Sequence, residues 1–180
     1  MIQTIRIGHL LREAVAAPYR NLVTRPTGAA VRTRIEETLA RSNCMTALLD
    51  FSGIELVDLS CADEVVAKLL LAAEPCAGRY VMLQGLREDQ HEAIEHVLRH
   101  HRLAVAAMPP DSLEPRLLGW VRTDARQAFA CVCDRGPVAV PDICRALRWP
   151  EPRAREALRD LAIHRLVRPV GELYHPLQTA

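Results

Sequence analysis

Along the first two thirds of the chain the apolar positions switch repeatedly between strand-like and helical spacing. Residues 3–7 carry a short strand pattern ended by Gly8, and residues 9–16 follow as a short apolar segment. Thr27 is placed to cap a helix over residues 28–40, because Val31, Ile35 and Leu39 then share one face. Residues 46–51 form a nearly continuous apolar run, as in a strand buried on both faces. Ser60 is positioned to cap the next helix, ahead of Ala62, Val65, Val66, Leu69, Leu70 and Ala73 at helical spacing. Asp63 and Glu64 then lie in its first turn, where the helix dipole favours negative charge. A strand over residues 80–84, a helix over residues 87–101 with Ile94, Val97 and Leu98 inward, and a strand over residues 103–107 complete the series. Strands alternating with helices predict an α/β layer with largely parallel pairing.

The run Met108, Pro109, Pro110, Asp111, Ser112 interrupts this pattern and predicts a linker, which divides the chain into domains 1–108 and 120–180 with residues 109–119 between them. Residues 123–134 read as a helix, followed by a turn at Arg135, Gly136 and Pro137 and a strand stub at residues 138–140. Pro141 opens a second helix with Ile143, Ala146 and Leu147 inward. After a tight connection through Trp149, Pro150, Glu151 and Pro152, a third helix runs from about Arg153 to His164. Its apolar face is Ala154, Ala157, Leu158, Leu161 and Ala162. Residues 166–169 and 173–176 flank Val170, Gly171 and Glu172 as a hairpin. Three helices and a terminal hairpin in about sixty residues match the winged helix-turn-helix plan.

Composition narrows the class. Of 180 residues, 49% are hydrophobic and 25% charged, the profile of an ordinary globular protein, and with only 4% aromatic residues the core must be aliphatic. Lys68 is the sole lysine, so arginine carries the positive charge. The net charge of +1 excludes a polyanion-binding tail, but it is uneven. Residues 1–119 hold 13 basic and 15 acidic side chains; residues 120–180 hold 10 basic and 7 acidic, a net of +3. The longest apolar stretch, residues 65–73, is broken by Lys68 and falls far short of the ~20 residues that span a bilayer. The first residues lack the basic-then-apolar order of a secretory signal, so the expectation is a cytoplasmic protein without membrane contact. Cys44, Cys61, Cys76, Cys131, Cys133 and Cys144 are scattered and read as reduced core thiols.

The segment from Leu48 to Ser60 is the most distinctive. Asp50, Phe51, Ser52 and Gly53 are followed by Asp58, Leu59, Ser60 and Cys61. It resembles the STAS domain, the fold of anti-sigma-factor antagonists. Asp58 and Ser60 match that family's aspartate and phosphorylated hydroxyl, while Leu59 stands for its first serine and Cys61 for its glycine. The series Ser60, Cys61, Ala62, Asp63, Glu64, with Thr24, Arg25 and the helix after them, is similar to the STAS-like subfamily of unknown function. The resemblance covers residues 2–107. It implies a bacterial regulatory domain that senses a protein such as a kinase or an anti-sigma factor, or a phosphorylation state. Ser60, Asp58 and Asp50 are then the candidate phosphoacceptor and switch residues. A serine hydroxyl at a helix start also lies among free N–H groups that favour a phosphate. The same serine reads equally as a plain cap.

Other clusters carry less. His91, Glu92, Glu95, His96, His100 and His101 crowd one helix without the HExxH order and read as a solvated charged face. Cys131 and Cys133 are two residues apart on a helix and point in different directions. No metal site, cofactor or catalytic constellation is expected, and the chain does not read as an enzyme. In the C-terminal part, Arg153, Arg155 and Arg159 on the third helix, Arg145 and Arg148 on the second, and Arg168 in the wing form a footprint for double-stranded DNA. Glu156 and Asp160 share that exposed side. The expectation is a non-catalytic regulator whose STAS-like domain controls a DNA-binding winged helix. The alternative is an adaptor whose winged helix docks on protein. A homodimer is compatible with both.

Overall fold

The computed structural model describes residues 1–72 and 78–177. Ala73 and Cys76 lie outside the described residues. The chain is mixed α/β and divides into two compact units, Met1–Gly119 and Trp120–Ala180.

The first unit is built on a five-stranded sheet of β1 (Ile2–Arg6), β3 (Thr46–Asp50), β5 (Tyr80–Gln84), β6 (Ala104–Met108) and β7 (Arg116–Gly119), in that spatial order. The first four are parallel and β7 is antiparallel to β6. Parallel neighbours need crossovers, which the helices supply. They are α1 (Ile7–Val15), α2 (Arg25–Ala40), a continuous helical rod over residues 59–71, and α5 (Glu88–His100). The rod comprises α3 (Leu59–Ala62), a π-helical turn (Asp63–Ala67) and α4 (Lys68–Leu71). The register lines up Ile5, Leu49, Leu83 and Ala107 across four strands. That row joins Val31, Ile35 and Leu39 of α2, Val65 and Leu69 of the rod, and Ile94 and Leu98 of α5 in one apolar core.

Several boundaries differ from the sequence expectation, each for a local reason. Helix α2 starts at Arg25, not after Thr27, because Pro26 takes the first-turn position where its missing N–H costs nothing. The rod starts at Leu59 with Asp58 as its cap, so Ser60 lies inside the first turn and is not the cap. The spacing of residues 62–70 reads as a regular α-helix, yet the middle is a π turn, which brings Glu64, Val65, Val66 and Ala67 all into the interior. Two-residue strands β2 (Asn21–Leu22) and β4 (Leu56–Val57) pair in parallel beside the main sheet, too short to leave a periodic signal. The third C-terminal helix starts at Glu151, two residues before the expected Arg153.

The expected linker 109–119 is a linker only in its first part. Arg116–Gly119 closes the sheet as β7, with Leu118 in the core opposite Val105. Gly119 is required there: its φ is +93°, and a Cβ would sit 2.2 Å from the Leu103 carbonyl oxygen.

In the second unit, α6 (Thr123–Arg135), α7 (Val140–Leu147) and α8 (Glu151–Ile163) are followed by a hairpin of β8 (Arg168–Val170) and β9 (Leu173–His175). The expected stub at residues 138–140 reduces to one bridge between Val138 and Tyr174, since α7 already begins at Val140. Ala128, Val132, Ile143, Leu158, Leu161 and Val167 are fully buried or nearly so.

A fragment of residues 1–119 is therefore expected to unfold cooperatively in urea. A fragment of residues 1–108, which lacks β7 and with it Gly119, is expected to unfold at a clearly lower midpoint. Identical midpoints and slopes would show that β7 is not part of the cooperative unit.

Candidate functional site

Asp58 organises the start of the rod. Its Oδ1 accepts from the Cys61 N–H at 2.7 Å and from the Ser60 hydroxyl at 2.8 Å, and its Oδ2 accepts from the Thr24 N–H at 2.8 Å. Burial pushes this carboxyl up, but those donors together outweigh it and hold Asp58 below the usual aspartate range. The bond to Thr24 fixes an unusual backbone: Thr24 has φ +72° and ψ +139°, a region that strongly disfavours a β-branched residue. Such strain costs of order 1–3 kcal/mol and persists only where its surroundings over-determine it. Here the Asp58 carboxylate and the Cys61 thiol, which donates to the Thr24 carbonyl at 3.1 Å, hold both sides of the residue. Burial first, then the nearby Asp58 charge, pushes the Cys61 thiol up to about 12, so it stays protonated and serves as that donor.

One turn further along, Glu64 is only 2% exposed. Its carboxylate accepts from Arg25 at 2.8 Å and Arg32 at 3.3 Å on α2, and from Lys68 on its own rod. Burial raises its pKa, and the Lys68 and Arg25 bonds with the Arg32 charge lower it further than burial raises it. Arg25 also donates to Asp63 at 2.8 Å, and the other Asp63 oxygen lies 2.8 Å from His101 Nε2. The expectation that Asp63 and Glu64 lie in the first turn, where the helix dipole favours their charge, is thus corrected. They sit beyond the first turn and anchor α2 and the end of α5 to the rod. Gly28 permits the close approach: a Cβ there would lie 3.0 Å from both Cys61 Cα and Glu64 Cβ.

Beside this network lies an open groove of about 490 Å³ whose lining includes Arg25, Leu59, Ser60, Asp63, His96, His100 and His101. The crowded histidine helix is therefore not simply a solvated face, because His96, His100 and His101 border the same groove as Ser60. The sequence pattern does not single out Arg25 and His101 as site residues. Their acidic partner lies 38 positions away in each case, beyond any local spacing rule. Asp50 does not join this group. At the end of β3, its Oδ1 accepts from the Ser52 N–H at 3.0 Å and packs against Gly85, which follows β5.

The C-terminal arginines are mostly engaged. Arg153 makes a two-pronged pair with Asp124 at 2.7 and 2.8 Å and lies 4.3 Å over the Trp149 ring. Arg155 pairs with Glu151, and Arg145 with Asp142 at 2.6 Å. Arg122, which no sequence pattern marks, binds Glu156 and Asp160. Arg168 is half-buried on β8. Arg148, in a left-handed conformation at the end of α7, and Arg159 on α8 are exposed and make no ion pair among the described residues. Among the described residues no group of three or more potential ligands could hold a metal ion, and no helix is long and apolar enough to cross a membrane. No family model matches the chain, and neither does any curated protein or solved structure.

Hydrogen bonds to a charged group contribute about 1.5–3 kcal/mol each, so Glu64→Gln is expected to lower the unfolding free energy at pH 7 by about 2–3 kcal/mol. The folded pKa of Glu64 is depressed, so its contribution is present above the unfolded value and lost as pH falls through the folded one. Urea denaturation of wild type and variant should therefore converge on acidification below about pH 4. A gap that stays constant into acid would rule out the ionised carboxylate as its source.

Proposed function

We propose that this protein is a non-catalytic bacterial regulator in which a STAS-like unit, Met1–Gly119, senses a protein partner or a phosphorylation state and controls a DNA-binding winged helix in Trp120–Ala180. The observation that carries the DNA reading is the outer face of α8. It presents Arg155 and Arg159 to solvent on the last helix of a three-helix unit that ends in a β-hairpin. Arginine at such positions reaches both phosphates and guanine edges. Arg148 at the end of α7 extends the exposed positive surface.

The sensing half of the reading is supported by the bonding of Ser60. Its hydroxyl donates to the same Asp58 oxygen that caps the rod. A phosphate on Ser60 would remove that donor and add about −1.5 to −2 charge beside Asp58 and Asp63. Repulsion would then work against the Asp58–Thr24 bond that holds the start of α2. Arg25 in the groove is the fixed cation a phosphate would meet, and His96 and His100 line the same groove.

A protein-docking role for the second unit is the second reading, favoured by two observations. Glu156 and Asp160 sit beside the exposed arginines, and Ile163 at the end of α8 is 66% exposed.

Full-length protein is expected to retard duplex DNA at low salt, with log affinity falling linearly against log salt. Arg155→Ala with Arg159→Ala should reduce that slope by about 1 for each phosphate no longer neutralised. Wild-type protein that binds no duplex at low salt would transfer the assignment to protein docking. For the first unit, Ser60→Asp is expected to lose a co-purifying partner that Ser60→Ala retains. Equal recovery with wild type and both variants would reduce Ser60 to a structural donor within the first turn.

A further inference from the structure

A second cavity, of about 560 Å³, lies at the carboxyl ends of β5 and β6 within the first unit. It is separate from the Ser60 groove, and its volume falls in the range of small-molecule sites. Carboxyl ends of parallel strands are where open α/β sheets hold ligands. The wall is apolar where β5, β6 and β7 reach it, through Leu86, Pro109 and Leu118. Both leucines are buried, at 5% and 7% exposure.

The mouth has a different character. Glu88 and Glu92 come from the first turns of α5, and Asp111 from the loop after β6. All three are exposed, and their side chains have no hydrogen bond or ion pair among the described residues. Glu95, also in the wall, is already occupied: it accepts from Arg99 and from the Gly119 N–H. Arg116 supplies the one full positive charge of the lining. Burial, then the charge of Arg116, lowers the pKa of His91, so that ring adds no second cation at neutral pH. Three unpaired carboxylates thus stand against one guanidinium at the entrance of an apolar cavity.

We propose that this cavity binds an organic cation with an apolar body, a primary alkyl- or arylalkylammonium. The ammonium sits among Glu88, Glu92 and Asp111, and the apolar part lies on Leu86, Pro109 and Leu118. The loop between β6 and β7 would be ordered against α5 by such a ligand, which gives the first unit a small-molecule input distinct from protein docking at Ser60. The proposal does not rest on the DNA or partner assignment.

The test uses the full chain with phenethylammonium as probe and 3-phenylpropionate, of similar shape and opposite charge, as control. A ligand of this size is expected to bind with Kd on the order of 1 mM. Calorimetry should show saturable binding of the cation only. Amide resonances of the first turns of α5 and of residues 109–118 should shift with it, while those around Ser60 should not. Glu88→Gln with Glu92→Gln, both exposed positions, should weaken binding about tenfold with an unchanged far-UV spectrum. The proposal is overturned if the cation fails to bind at about 10 mM, if the anion binds equally well, or if the double variant binds with unchanged affinity.

Discussion

A carboxylate buried between packed helices has to be met by cations, and α2 and the rod are arranged around meeting that demand for Glu64, which is 2% exposed. An ionised carboxylate without partners in such a place would cost several kcal/mol. Arg25 and Arg32 reach it from α2 and Lys68 from the rod, and with the Arg25–Asp63 bond they hold the two helices in one register. Hydrophobic contact is non-directional and would tolerate sliding of α2 along the rod. Three donors converging on two oxygens do not. Gly28 lets the two helix backbones approach closely beside this cluster, since a Cβ there would lie 3.0 Å from Cys61 Cα and Glu64 Cβ. The only lysine of the chain is used here, four residues from its carboxylate on the same helix.

The strained residue before α2 lies against the rod's first turn, where Thr24 has a positive φ. Asp58 and Cys61 hold it from either side. The hydroxyl of Ser60 therefore sits on a carboxylate that does two jobs, capping one helix and tethering the entry to another. In the proposed reading, a change of charge at this hydroxyl would act through Asp58 on the backbone of a different element.

Charge neutralisation is just as marked in the second unit, with a different result. Arg122, Arg145, Arg153 and Arg155 each face a carboxylate. Exposed pairs of this kind contribute little to stability. They do alter what a surface can recognise, because a phosphate must compete with the resident acid for each guanidinium. Arg159 and Arg148 are exposed without such a partner among the described residues, and Glu156 and Asp160 on α8 would penalise any badly registered polyanion.

Element type was legible for most of the longer patterns, although the nine-residue helix α1 read only as a short apolar segment. The apolar strands β3, β5 and β6 and the helices α2, α5 and α8 all left their period in the sequence, because burial on one face or both dictates residue type at each step. Asp58 and Ser60 stood out as a candidate site through a resemblance and a helix start, although the capping role belongs to the aspartate. What the sequence alone could not determine involves partners far apart along the chain. β7 hides behind two prolines and is a strand only because β6 offers it an edge. The π turn, the burial of Glu64, and the meeting of Arg25, Asp63 and His101 depend on how α2, the rod and α5 are stacked. Periodicity records which side of an element is buried. It does not record which element lies on that side, and for ionisable groups that neighbour decides whether a residue is surface, anchor or site.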